Sequence, residues 1–256
     1  MLRILYSDIR FLLKNWGFKF TIAAAMTYVL GFVVILKIIM HFVGNDDFIY
    51  GEDILSAYND IAFYFITTVS AILFTADFSN GTIRNKLVSG LRKSEIFLSS
   101  VISGMIASVI MTVVVTLFEA LLSIIFSEGF MTYNLPELSN NLLLLLITAA
   151  SVGAFTTMLV LIFGGTKLSY FAGFVVAFFL TVVKMQVTND LYPMNGNCTL
   201  TGAKLALYTA YDRFSPFMHF EGYPRWDLLS HVIGSVALIA LSIGIGLIVF
   251  NRKEIK

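Results

Sequence analysis

The hydrophobic and polar positions of this chain follow a helical period at its start and merge into long apolar blocks after it. In residues 1–20, Arg3, Ser7, Arg10 and Lys14 recur at steps of four, three and four, opposite Leu2, Leu5, Ile9, Leu12, Leu13 and Trp16. A basic stripe facing Leu and Trp is the pattern of an amphipathic helix lying in a membrane interface. The plainer alternative is an extension of the first span. Apolar blocks follow at 21–42, 54–76, 96–126, 138–164, 168–187 and 228–250. Each reaches the about 20 residues a helix needs to cross the hydrocarbon core. The third is longer than that, which predicts tilt or projection beyond the bilayer. The expected fold is therefore an all-α polytopic membrane protein: one domain, residues 1–256, with six transmembrane helices and an N-terminal interfacial helix.

Composition strengthens this picture. Hydrophobic residues make up 58% and charged residues 13% of the chain, against about 25% charged in an ordinary soluble domain. The net charge of +1 provides no field for nucleic acid. The distribution of charge is more informative. Twelve of the seventeen Lys and Arg fall in 1–20, 77–95, 164–167 and 251–256, while of the sixteen acids only Asp8, Asp77, Glu95 and Glu254 do. The positive-inside rule places these segments, and both termini, in the cytoplasm of a cell that carries the protein in its plasma membrane. The outer loops are then 43–53, with Asp46, Asp47, Glu52 and Asp53; 127–137, closed by Asn134 and Pro136; and 188–227. Within the last, 201–214 predicts a short helix, with Thr201 as N-cap and Ser215-Pro216 as the stop. Its Leu207, Tyr208, Tyr211 and Phe214 suit a helix dipping into the outer leaflet.

Little in the chain suggests catalysis. His41, His219 and His231 are well apart in sequence, no nucleophile motif is present, and the single Cys198 excludes an intramolecular disulfide. Gly164-Gly165-Thr166-Lys167 places glycine near lysine but lacks the rest of a GxxxxGK[ST] phosphate loop, so it reads as a tight turn between spans. No cofactor or metal is expected in this chain. Glu119, inside the third span, is the costliest charge, with Lys184 as a candidate partner. It marks a polar pathway or a protomer contact, or else it sits near enough to the outer surface to be hydrated. Lys37 and Asp60 read as interfacial. Ser103-Gly104, Ala149-Ala150-Ser151, Gly234-Ser235 and Gly244 with Gly246 point to close helix packing more than to a conduction path. The sequon Asn197-Cys198-Thr199 falls on the outer side.

The longest polar run between apolar blocks is 77–95, DFSNGTIRNKLVSGLRKSE. Ser79 or Asn80 can cap a helix starting near Gly81, and Gly90 can end it. Such a helix would present Arg84, Lys86 and Leu87 to the cytoplasm. Charge alone leaves open whether the run docks a partner or only anchors topology.

The order of residues adds a resemblance. Asp77-Phe78-Ser79-Asn80-Gly81-Thr82-Ile83-Arg84-Asn85-Lys86-Leu87 resembles the cytoplasmic loop of type-2 ATP-binding-cassette (ABC) transporter permeases, and Phe250-Asn251-Arg252-Lys253-Glu254-Ile255-Lys256 is similar to their common ending. The small bacterial exporters of peptides, antimicrobials or drugs are nearest in layout. The resemblance implies two permease protomers side by side, as a homodimer or a heterodimer, and separate ATPase subunits below that bind ATP and Mg. It makes Asp77, Phe78, Gly81, Thr82, Ile83, Arg84, Lys86 and Leu87 the ATPase-coupling residues, and 201–214 an outer helix closing the route. This chain would then be a transporter subunit and not itself an enzyme. The competing class is a motor-free channel, immunity protein or sensor.

Overall fold

The computed structural model describes residues 2–43, 49–130, 135–164, 167–193, 198–220 and 227–253. Asp46, Asp47, Asn134, Gly165, Thr166, Asn197 and the last three residues, on which some expectations above fall, lie outside the described residues. The described residues form ten helices and no strand: α1 (Leu2–Lys14), α2 (Trp16–Val43), α3 (Gly51–Leu55), α4 (Asn59–Ser79), α5 (Thr82–Val88), α6 (Lys93–Phe126), α7 (Leu135–Phe163), α8 (Lys167–Leu191), α9 (Gly202–Phe214) and α10 (Leu228–Arg252). Six segments are long and apolar enough to cross a membrane: α2, α3 with α4, α6, α7, α8 and α10. The chain is thus an all-α polytopic membrane protein.

α7 is the hub, packing against α6, α10, α4 and α8. Of its span 67% is buried, against 17% for α2 and for α8, so the latter two have their surfaces left to lipid. Apolar side chains gain nothing by leaving lipid for protein, so close contact must come from small residues that let backbones approach. A Cβ on Gly104 of α6 would collide with Thr157 of α7, and one on Gly153 of α7 with Ser108 of α6. Gly246 of α10 lies against Phe97 of α6 in the same way, and Gly234 against the Phe214 carbonyl. Gly244 differs: it faces open space.

Three boundaries depart from the expected ones. The surface helix and the first span meet at Asn15 instead of at residue 20. The Asn15 side chain accepts from the Gly17 and Phe18 amides at 2.7 and 3.3 Å, ending α1 and starting α2. Asn15→Ala is expected to lower stability by about 1 kcal/mol, the usual cost of losing such a cap, read as earlier thermal unfolding in detergent. The apolar stripe of α1 also does more than lie on lipid: α1 packs on α6 with Leu12 buried, while Trp16 at the start of α2 is exposed.

The second departure is a broken second span. α3 ends at Leu55 and α4 begins at Asn59, with the turn between them closed by the Ser56, Ala57 and Asn59 amides. The third lies in 188–227. α9 forms where expected, but Thr201 caps it without a side-chain hydrogen bond. The chain after α9 then turns inward. Ser215, Met218, His219 and Phe220 are buried, and the Phe217 ring sits between Phe63 of α4 and Phe155 of α7 at 5.1 and 5.3 Å. It is this segment, rather than the exposed Leu207 of α9, that covers the far end of the bundle.

Candidate docking site at the basic end

α1, α5, the start of α6 and the end of α10 gather at one end of the bundle, joined by Lys86–Asp8 and by Lys93 on the α10 terminus. Among the described residues, the basic segments of the sequence therefore share one end of the bundle, as the charge distribution requires.

The loop is built from its glycines outward. α4 closes at Ser79, whose hydroxyl donates back to the Ala76 carbonyl at 3.1 Å. Gly81 itself caps α5, at φ 66, a conformation only glycine adopts readily. Neither Ser79 nor Asn80 caps α5, contrary to the expectation, because the left-handed turn at Gly81 points the chain away from them. Gly90, at φ 88, reverses the chain again. Arg92 then precedes α6, with its amide donating to Glu95 Oε2 at 3.0 Å.

This frame sorts the expected coupling residues into two sets. Ile83 is buried, and Leu87 and Thr82 are half-buried against the bundle. Arg84, Asn85 and Ser89 are exposed, and Val88 is 83% exposed. Lys86 does not face outward as the sequence suggested. Its ammonium reaches Asp8 Oδ1 of α1 at 2.7 Å, with both side chains about seven-eighths buried. Asp8 Oδ2 accepts from Ser99 of α6 at 2.7 Å. Asp77 is buried within electrostatic reach of both Lys86 and Asp8. Phe78 lies under Lys253, 5.2 Å from its ammonium.

Asp77, Lys86, Asp8 and Ser99 thus tie the end of α4, α5, α1 and α6 into one block. Asp8 was legible as an acid among inner-face bases, but its role was not. The signal was its position: it falls between Leu5 and Leu12 on the apolar side of α1.

A second block holds the chain end. Lys253 donates to the Leu161 and Ile162 carbonyls at 3.2 and 2.8 Å, where the α7 dipole is negative. Burial lowers the pKa of its ammonium below the ordinary value. Lys93 in turn donates to the Lys253 and Asn251 carbonyls. The arrangement leaves a small exposed platform, Arg84, Asn85 and Val88, on a base cross-braced to four elements.

The expected intramembrane pair is not formed. Glu119 is fully buried and accepts from the Tyr58 amide at 2.7 Å, while Lys184 donates to the Phe220 carbonyl at 2.7 Å. Glu119 is therefore neither hydrated at the outer surface nor exposed for a protomer contact. His219 and His231, twelve residues apart in sequence, pack with ring centroids 3.7 Å apart and planes tilted by 34°. Burial and its neighbour push the His219 pKa down to about 4, so it is neutral at physiological pH. No group of three or more metal-binding side chains occurs among the described residues. Comparison with protein-family models and with curated proteins gives no match.

Proposed function

We propose that this chain is the permease subunit of an ATP-driven exporter, moved by a separate ATPase that docks on α5. The single observation carrying this reading is the platform itself. A seven-residue helix presents an arginine and an 83%-exposed valine beside the membrane, while its opposite side is anchored by Ile83 and by the Lys86–Asp8 pair. A topological anchor needs only charge. An arginine beside an exposed apolar residue, on a braced base, suits a protein groove, where a few residues, arginine often among them, contribute most of the binding. The resemblance of 77–87 to the coupling loop of type-2 ABC permeases supplies the kind of partner. Force applied at α5 would reach α4 directly and α1 and α6 through Lys86, Asp8 and Ser99. Phe-rich spans suit an amphipathic peptide or another hydrophobic cargo.

The test is Arg84→Glu with Val88→Asp, both on the exposed side of α5. The wild-type protein, purified from its native membrane in mild detergent, is expected to retain a soluble protein that carries a phosphate-binding loop and hydrolyses ATP. The double variant is expected to lose it at least tenfold while unfolding at the same temperature. Retention by the variant would overturn the docking role, and a wild type that purifies without ATPase activity would favour a motor-free channel, immunity protein or sensor.

A further inference from the structure

The far half of α6 carries polar groups that the docking reading does not use. Thr112, Thr116 and Glu119 follow at steps of four and three, which puts them on one face of the helix. Glu119 lies seven residues before the helix end, and the chain that meets it is the break in the second span. Its Oε1 accepts from the Tyr58 amide at the N-terminus of α4. Its Oε2 is buried and has no hydrogen-bond partner. The hydroxyls of Thr112, Thr116 and Tyr58 are in the same condition, and the Tyr58 hydroxyl lies beside Thr112 without a well-formed hydrogen bond.

Four buried oxygens without partners, one of them on a carboxylate, are costly in a low-dielectric interior. Such groups in a native protein call for water, a proton or an ion. The set is all oxygen, which suits a hard cation and not a soft metal. Glu119 carries one formal charge, which a single positive charge balances; the buried Glu52 of α3 is the other acid of this seam. Acids inside membrane spans that face the bundle interior are also where ion and proton pathways run.

We propose that Glu119, with Tyr58, Thr112 and Thr116, forms a binding site for a small monovalent cation, the proton or Na+, at the α3–α4 break. Occupancy neutralises the carboxylate and holds the break against α6; loss of the cation leaves an unbalanced charge that favours opening between α3 and α6. The other ionisable groups on the elements packed there are Glu52 on α3, buried, and Asp53, Asp60, Lys37 and His41, all exposed. Glu52 is the one that shares this seam, so it belongs in the test. The proposal does not depend on the ATPase: it concerns the purified chain alone.

The experiment is infrared difference spectroscopy of the protein in lipid nanodiscs, comparing wild type with Glu119→Gln and Glu52→Gln. Glu119→Gln keeps an oxygen to accept from the Tyr58 amide, so it preserves the cap and removes only the exchangeable charge. A carboxyl signal that changes when NaCl replaces choline chloride at constant pH, and is lost in Glu119→Gln but kept in Glu52→Gln, identifies Na+. The same signal responding only to pH, between about 5 and about 9, a window above the about 4.3 of an ordinary glutamate, identifies the proton. A signal that follows Glu52, or no Glu119-dependent signal under either change in a folded protein, overturns the site and leaves Glu119 as a fixed cap of α4.

Discussion

Lys86→Glu is expected to destabilise the protein by about 3 kcal/mol, and adding Asp8→Lys to the same chain to recover most of the loss. Removing one partner of a largely buried ion pair leaves the other charge uncompensated, at a cost of about 3–5 kcal/mol when burial is complete. Here both side chains keep a little exposure, 14% and 13%, which places the estimate at the lower end. The substitution also adds a third carboxylate near Asp8 and Asp77, and nearby like charges repel strongly when desolvated. The swapped pair restores opposite charges between α1 and α5, though Lys at position 8 must find a new contact with Ser99. Thermal unfolding in detergent measures the effect. A double variant as unstable as the sum of its single variants would mean that the two residues do not interact. This also separates bracing from docking. Arg84→Glu changes an exposed residue and should leave unfolding almost unaltered, within about 0.5 kcal/mol. On the proposed docking of an ATPase at α5, Lys86→Glu should lower transport-coupled ATP hydrolysis even where the partner still binds.

Gly104→Val should cost about 3 kcal/mol or more by forcing α6 from α7. Inserting bulk into a close-packed site costs about 1–3 kcal/mol, and more where a whole helix must shift. The obstacle at Gly104 is Thr157, a branched side chain on the hub helix whose hydroxyl lies 3.4 Å from Ser70 of α4, so it has little freedom to turn away. Thr157→Ala should rescue part of the loss by clearing the collision. Gly244→Val provides the control: the space beyond Gly244 is open, and the same substitution there should change stability by less than about 0.5 kcal/mol. Equal losses at 104 and 244 would show that valine acts through the helix backbone and not through helix contact.

These expectations separate what can be read along a chain from what cannot. The spans were legible because a bilayer demands about 20 consecutive apolar residues, a condition that each segment meets by itself. The shared basic face was legible because Lys and Arg select a side loop by loop. A short helix at 82–88 and one at 202–214 were legible too, since glycines and a proline mark their ends locally. The resemblance of 77–87 to a coupling loop also belongs to the sequence, and the partner it suggests remains the subject of the docking test.

Which way side chains turn was decided only in the fold. Lys86 and Arg84 are two residues apart in one basic run, and sequence gives them the same task. The tertiary structure separates them because α1 brings an acid, Asp8, to one side of α5 and nothing described to the other. The break at residues 56–58 had no local warning: neither Gly nor Pro interrupts 54–76, and the Tyr58 amide at the break is taken by a carboxylate 61 residues away. The pairing of His219 with His231 and the wedge of Phe217 between α4 and α7 likewise depend on the inward path of 215–220. Membrane insertion is a sum over each segment's own residues, so the sequence determined it. The contacts that orient polar groups inside the bundle join residues distant along the chain, and only the packed structure determined those.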